Sequence, residues 1–226
     1  MKNLINRIVF VAVIHTDLES VEHAREVVRR EEPAVVAVEL DRDRYNQLMN
    51  PEEHEVPETA QPTGDMAQDL MQQLALLERS LGSLSGSGVG EEMMTAIEEG
   101  RAVGAKIALV DRPMKDTIAS MMHVPLDELY KLFNLLPDAS QEIQEGGVGA
   151  LFALLKEEGA IDQLMEQFRE EFPNLTKVLI EERDEYVAKA LHFILNDVEG
   201  TIVAVLGAGH IQGVKDTLKT MLEDNT

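Results

Sequence analysis

The residues of this chain able to do chemistry recur at one kind of place. His15 follows the apolar run 8–14, and Glu39 closes the run 34–40 with Asp41 just beyond. Asp111-Arg112 follows the run 106–110, and Gly207-Ala208-Gly209-His210 follows the run 201–206. If these runs are parallel strands, the polar groups meet at their carboxyl ends, where an open α/β sheet gathers its ligands. Two imidazoles beside carboxylates suit a divalent cation, or a histidine base held by an acid. Glu39 is the most informative, because Val35-Val36-Ala37-Val38-Glu39-Leu40 embeds a charge in an apolar strand. Such a carboxylate needs a cation, a metal or a hydrogen-bond donor. A structural ion pair with Arg183 or Arg112 is one reading, and a functional carboxylate is the other. Arg183 is the lone cation in Glu181-Glu182-Arg183-Asp184-Glu185. Such a run is usually a solvated helix face, but its guanidinium could clamp an anion or oxyanion. His23, His54, His123 and His192 lack this context and read as surface or satisfied core residues.

The elements that must hold these groups follow from the hydrophobic pattern. The four runs read as buried parallel strands, separated by segments of helical periodicity. A cap at Asp17 or Ser20 starts a helix reaching Glu31; Asp65 opens one ending near Gly82; a third covers 91–103; a last one follows Gly209. Residues 113–195 contain only helical periodicities, broken by Pro125, Pro137, Gly146-Gly147, Gly159 and Pro173. The expected fold class is therefore α/β: a mainly parallel central sheet flanked by helices, with a long all-helical insertion before the last strand. Residues 1–112 and 196–226 would form the core, with 113–195 as insert or cap. The stretches 50–63 and 82–90 read as loosely ordered, the second as a glycine–serine link.

Composition narrows the function. The chain has 226 residues, 20 basic against 42 acidic, and a net charge of −22. That charge repels phosphate backbones and anionic membranes, so no nucleic acid is expected as partner. The absence of cysteine removes disulfides, thiolate metal sites and a cysteine nucleophile. No apolar run approaches the ~20 residues that span a bilayer, so no membrane insertion by this chain is expected. With no signal-like start, a cytoplasmic location is expected.

Five blocks then carry a resemblance. They are Val36-Ala37-Val38-Glu39-Leu40-Asp41 with Arg44-Tyr45, Glu92-Met93 before Ala96-Ile97-Glu98, Gly104-Ala105-Lys106 leading to Asp111-Arg112-Pro113, Glu182-Arg183-Asp184-Glu185-Tyr186-Val187-Ala188, and Gly207-Ala208-Gly209-His210-Ile211. In that order they resemble the TraB family of pheromone-shutdown-like proteins, related to the Tiki metalloproteases and erythromycin-esterase-like proteins. The resemblance implies paired Gly-x-x-His motifs with an essential glutamate and arginine. His210 matches the second motif with Gly207 at its head, and His15 matches the first motif's histidine. Ala12 stands where the first glycine is usual, so a methyl group could narrow the pocket. Glu39 and Arg183 match the essential pair, and Asp111-Arg112 matches an Asp-Arg pair. Microbial relatives often carry a membrane-spanning C-terminal part, which does not appear before Thr226.

The leading expectation is a metal-dependent hydrolase of peptide or amide bonds. His15 and His210 would bind zinc, manganese or cobalt, with Glu39 as ligand or general base. Arg183 would stabilise an oxyanion, while Asp111 or Arg112 would orient a neighbouring group. The alternatives are a metal-independent esterase-like hydrolase using a histidine base, and a non-catalytic regulatory or peptide-sequestering protein. The substrate would be a peptide or small molecule. The histidines should change charge near neutral pH. The apolar surplus in the insert predicts a homodimer.

Overall fold

The computed structural model describes residues 4–50, 63–135 and 147–224. Its centre is a four-stranded, all-parallel sheet in the order β1-β4-β2-β3, formed by Ile8–Val13 (β1), Val35–Val38 (β2), Lys106–Leu109 (β3) and Ile202–Gly207 (β4). β4 is fully buried and lies between β1 and β2, with Val13 opposite Gly207 and Val38 opposite Val205. That register brings the ends of β1, β2 and β4 side by side. β2 is shorter than its apolar run because Leu40 N–H turns back to the Val38 carbonyl at 2.8 Å.

One face of the sheet is covered by Leu18–Glu31 (α1) and Glu91–Ala102 (α4). Ala24, Val27, Val28, Met93, Ala96 and Ile97 bury there against Val11, Val36, Val38 and Val203. Between them in sequence come Arg42–Met49 (α2) and Met66–Ser85 (α3). The other face is covered by Glu182–Asp197 (α10) and Ile211–Asp224 (α11), which bury Val187, Leu191, Val214 and Leu218 against Ile202, Ala204 and Leu206. Arg7 ties this layer to β1 by donating to the carbonyls of Leu195, Val198 and Gly200, satisfying the open end of α10.

Between β3 and α10 the described residues hold only helices. They are Met114–Met121 (α5), residues 126–135 (α6), Val148–Leu155 (α7), Ala160–Glu171 (α8) and Pro173–Thr176 (α9), then a π-helical turn, Lys177–Glu181. They have their own core, in which Met121, Leu129, Phe172, Leu175 and Val178 pack with Leu70 of α3. Helix α3, which precedes α4 and β3 in the chain, therefore joins the helices that follow β3. Buried Glu128 supports this core by accepting from Leu175 N–H at 2.8 Å and Asn174 at 2.9 Å. The glycine–serine stretch is less open than its composition suggested: α3 continues through Ser85, and Gly86 caps it at φ +81°. Most of 50–63 lies outside the described residues.

Candidate active site

β1 ends in a tight turn closed by Asp17 N–H to the Ile14 carbonyl at 3.2 Å. Thr16 occupies its left-handed position at φ +65°, a conformation that costs a β-branched residue about 1–3 kcal/mol. The turn is held from below, since Asp17 caps α1 and Ser20 Oγ accepts from Ile14 N–H at 3.0 Å. It projects His15, whose Nδ1 lies 2.6 Å from Glu92 Oε1. Glu92 sits in the first turn of α4 and is fully buried.

Across β4 the second histidine is held differently. The 3-10 turn Ala208–His210 follows Gly207 and delivers His210, whose Nδ1 lies 2.7 Å from Asp184 Oδ1. Asp184 approaches α11 at Gly213, where a Cβ would lie 1.9 Å from its Oδ2. Arg183, one residue earlier on α10, faces the same turn. Its Nε and a terminal nitrogen donate to Asp111 at 3.0 and 2.8 Å, and that terminal nitrogen also donates to Glu39 Oε1 at 2.5 Å. Its other terminal nitrogen is 3.1 Å from His210 Nε2. A guanidinium only donates, so Nε2 accepts and Nδ1–H donates to Asp184. Glu39 Oε2 accepts from Gly207 N–H at 2.6 Å. The π-helical turn just before α10 supplies the Leu179 carbonyl, 3.4 Å from Arg183.

The two halves meet over Gly207. A Cβ there would lie 3.1 Å from His15 Nε2, 3.3 Å from Glu39 Oε2 and 3.4 Å from His210 Cδ2. Any side chain would press on all three groups, so the backbone must be bare at this point. Ala12 is different, because it is exposed on edge strand β1. The methyl in the first motif is therefore not the group that crowds the site.

Burial alone would raise the pKa of Glu39. The charges of His210 when protonated, of Arg183 and of His15, with the Gly207 N–H, outweigh it and bring Glu39 down to about 2. Burial would lower His15, but the Glu92 hydrogen bond and the charges of Glu92, Glu39 and Glu78 raise it to about 9. This corrects the expectation that both histidines change charge near neutrality: His15 stays protonated well above it. Burial disfavours the Arg183 charge, yet Glu39 and Asp111 raise its pKa further. Burial raises Asp184, with the His210 contact acting against it.

Of the residues singled out from sequence, His15, Glu39, His210, Arg183 and Asp111 come together. Arg112 turns away to Glu182 at 2.7 Å and Ser120 at 2.9 Å, touching Asp111 only through its backbone N–H. Asp41 is a structural cap, accepting from Arg44 N–H and from Met114 N–H at 2.7 Å each. Glu92 and Asp184 were not picked out. Asp184 lay in the run 181–185 that reads as a solvated helix face, Glu92 stood in a matched block with no role assigned to it, and the packing of α4 and α10 shows both facing inward.

A cation is the implied cofactor, and its expected donors fit unevenly. Four carboxylates (Glu39, Glu92, Asp111 and Asp184) face one guanidinium and two imidazoles, a nitrogen and oxygen set with negative charge to spare. His15 Nε2 has no hydrogen-bond partner among the described residues, and Glu39 Oε2 borders the same space. His210 Nε2 instead faces Arg183, and no group of three such side chains among the described residues has ligand spacing.

Comparison with known proteins agrees with the family resemblance. The family model described as TraB/PrgY/gumN family matches residues 5–225. An uncharacterized protein of Methanocaldococcus jannaschii is 29% identical over 221 residues, covering 96% of this chain and 55% of that protein. TraB domain-containing proteins of Bos taurus and Mus musculus are 25% and 24% identical, with 96% of this chain and 64% of each relative covered. The chain thus spans between half and two thirds of the length of these relatives. Among the described residues no helix is long and apolar enough to cross a membrane.

Proposed function

Because the chain belongs to the TraB/PrgY/gumN family, we propose that it is a hydrolase of peptide or related amide bonds that works with a divalent cation at the strand edge. The observation that supports this reading is the convergence of His15, Glu39 and His210 on the bare backbone of Gly207, with Arg183 alongside. His15 and Glu39 would hold zinc, manganese or cobalt, and His210 would join them once Arg183 leaves its Nε2. The bound cation would polarise a carbonyl and ease the ionisation of water. Glu39, held near pKa 2, is anionic at neutral pH and suits a ligand or charge partner better than a base. Arg183 is aimed by Asp111 and, once it leaves His210 Nε2, would offer that terminal nitrogen's hydrogens to a developing oxyanion. Asp184 keeps the proton of His210 on Nδ1, so Nε2 is the atom left to join the cation.

One contact favours a second reading. The Asp184–His210 pair has the layout of a base held by its orienting acid, which would activate water for ester hydrolysis without a metal. Metal analysis of purified protein, followed by peptide and ester panels with and without chelator, separates these. Bound metal with chelator-sensitive cleavage supports the first reading, and chelator-resistant cleavage supports the second. A folded, inactive protein on both panels points to a regulatory, peptide-sequestering role.

Two further proposals concern the setting. An acidic, cysteine-free chain suits the cytoplasm. Met122, Leu126 and Tyr130 are exposed at four-residue spacing along the helical insert and would seat a second copy. Sedimentation in screening salt checks this, and a clean 25.1 kDa species would overturn it.

A further inference from the structure

We infer that Glu92 is a positioning residue that fixes the imidazole of His15 and reserves its Nε2 for the site. The inference rests on the reading of His15 as a functional group, and three observations carry it. First, the contact is short and directed: Glu92 Oε1 is 2.6 Å from His15 Nδ1. A carboxylate accepts, so Nδ1 keeps its proton, and when the ring loses one it is Nε2 that gains a lone pair toward the space over Gly207.

Second, Glu92 is immobile. Its neighbours Met93, Ala96 and Ile97 are buried in the sheet core, and Gly100 lets α4 press so close that a Cβ there would lie 2.7 Å from Val36. The chain enters α4 through Gly90 at φ +76°, and Glu91 accepts from Gly88 N–H at 2.8 Å. A helix so anchored holds its first-turn carboxylate still, and the helix N-terminus favours the anion.

Third, Glu92 is costly to keep for packing alone. Its Oε2 is buried and has no partner, one of two such side-chain atoms among the described residues. The other is Thr16 Oγ1, on the residue after His15. An orphaned buried oxygen costs about 1–3 kcal/mol, which an apolar side chain would avoid. Both orphans flank the same histidine. The arrangement parallels Asp184 with His210 on the opposite side of β4, so each site histidine has one dedicated carboxylate.

The test replaces Glu92→Met, which keeps the bulk and removes the acceptor, and Glu92→Gln, which restores a neutral acceptor. Ring 15N spectra of histidine-labelled protein, followed up to about pH 10 where the His15 ring is neutral, read which nitrogen keeps the proton, and melting curves check the fold. The expected result is a protonated Nδ1 in the wild type, its loss or redistribution in Glu92→Met, and partial recovery in Glu92→Gln. Where hydrolysis is measurable, kcat should fall about 10- to 100-fold in Glu92→Met with KM little changed. A folded Glu92→Met protein with unmoved His15 signals would overturn the assignment. If that variant does not fold, the wild-type spectrum decides, and an unprotonated Nδ1 overturns it. An inactive wild type whose His15 ring still shifts would sink the hydrolase reading and uphold the positioning role.

Discussion

The site has two histidine halves, and they are finished to different degrees. On the β4 side, His210 is 9% exposed and both ring nitrogens are engaged, by Asp184 and by Arg183. Glu39 and Asp111 complete a network around Arg183 in which each charge meets an opposite one. On the β1 side, the His15 side chain is 37% exposed and has a single hydrogen-bond partner among the described residues. The two unsatisfied buried atoms stand beside it, and its turn carries the strained Thr16. The first half resembles a completed structural network, and the second leaves valences open. A ligand therefore gains most by approaching from the His15 side, while the His210 side supplies a preset field.

Breaking the finished half should cost the most. Arg183→Met would leave Glu39 and Asp111 buried without the guanidinium that pairs them, for a loss of about 3–5 kcal/mol in chemical unfolding. A variant destabilised by less than 1 kcal/mol would mean that the network relaxes or admits water freely. Gly213→Ala should come next, because its Cβ cannot share space with Asp184. Overpacking of this sort costs about 1–3 kcal/mol, and it should disturb His210 while leaving His15 signals in place.

Gly207→Ala sharpens the comparison, since one methyl meets both halves at 3.1–3.4 Å. Those neighbours are side-chain tips, so the fold should survive with about 1 kcal/mol lost. Any hydrolytic rate should fall much more than the stability does. Equal rates in wild type and Gly207→Ala would rule out the space above Gly207 as the reacting centre.

Acid and base should act on different halves of the metal-free protein. His15 is raised from 6.5 to about 9, so its contribution to stability is complete below pH 6.5 and is lost as pH rises through about 9. Glu39 is lowered from 4.5 to about 2, so its contribution is complete above pH 4.5 and is lost as pH falls toward 2. Melting temperatures across pH 3–10 should show these two flanks, and Glu92→Met should remove the alkaline one. If deprotonated His15 is required, activity should rise toward pH 9 rather than near neutrality. The smallest effect is expected from Lys156→Met, which breaks partly exposed pairs with Asp17 and Glu19 at the foot of the His15 turn. A loss of about 0.2–1 kcal/mol in unfolding is expected.

Apolar runs and capping signals determined much of this protein before any folding was considered. Four short aliphatic runs rich in β-branched residues, each bounded by a turn or polar break, give four parallel strands, the form that suits such runs when both sheet faces are buried. Asp17 and Asp65 cap helices where local hydrogen bonding says they should. The positions of His15, Glu39 and His210 at strand ends were legible for the same reason. The order β1-β4-β2-β3 was not, since it is set by how long crossovers pack, yet it alone puts Gly207 between the two histidines. Helix α2 escaped notice because it is eight residues long and gives only Tyr45 and Leu48 to the core, and Asp41 looked chemical when it was a cap. Arg183 against Arg112 as the partner of Glu39, and the inward turn of Glu92 and Asp184, also needed the tertiary structure. An acidic run reads the same whether one of its carboxylates faces water or a histidine, and only the packed rotation of α4 and α10 decides which.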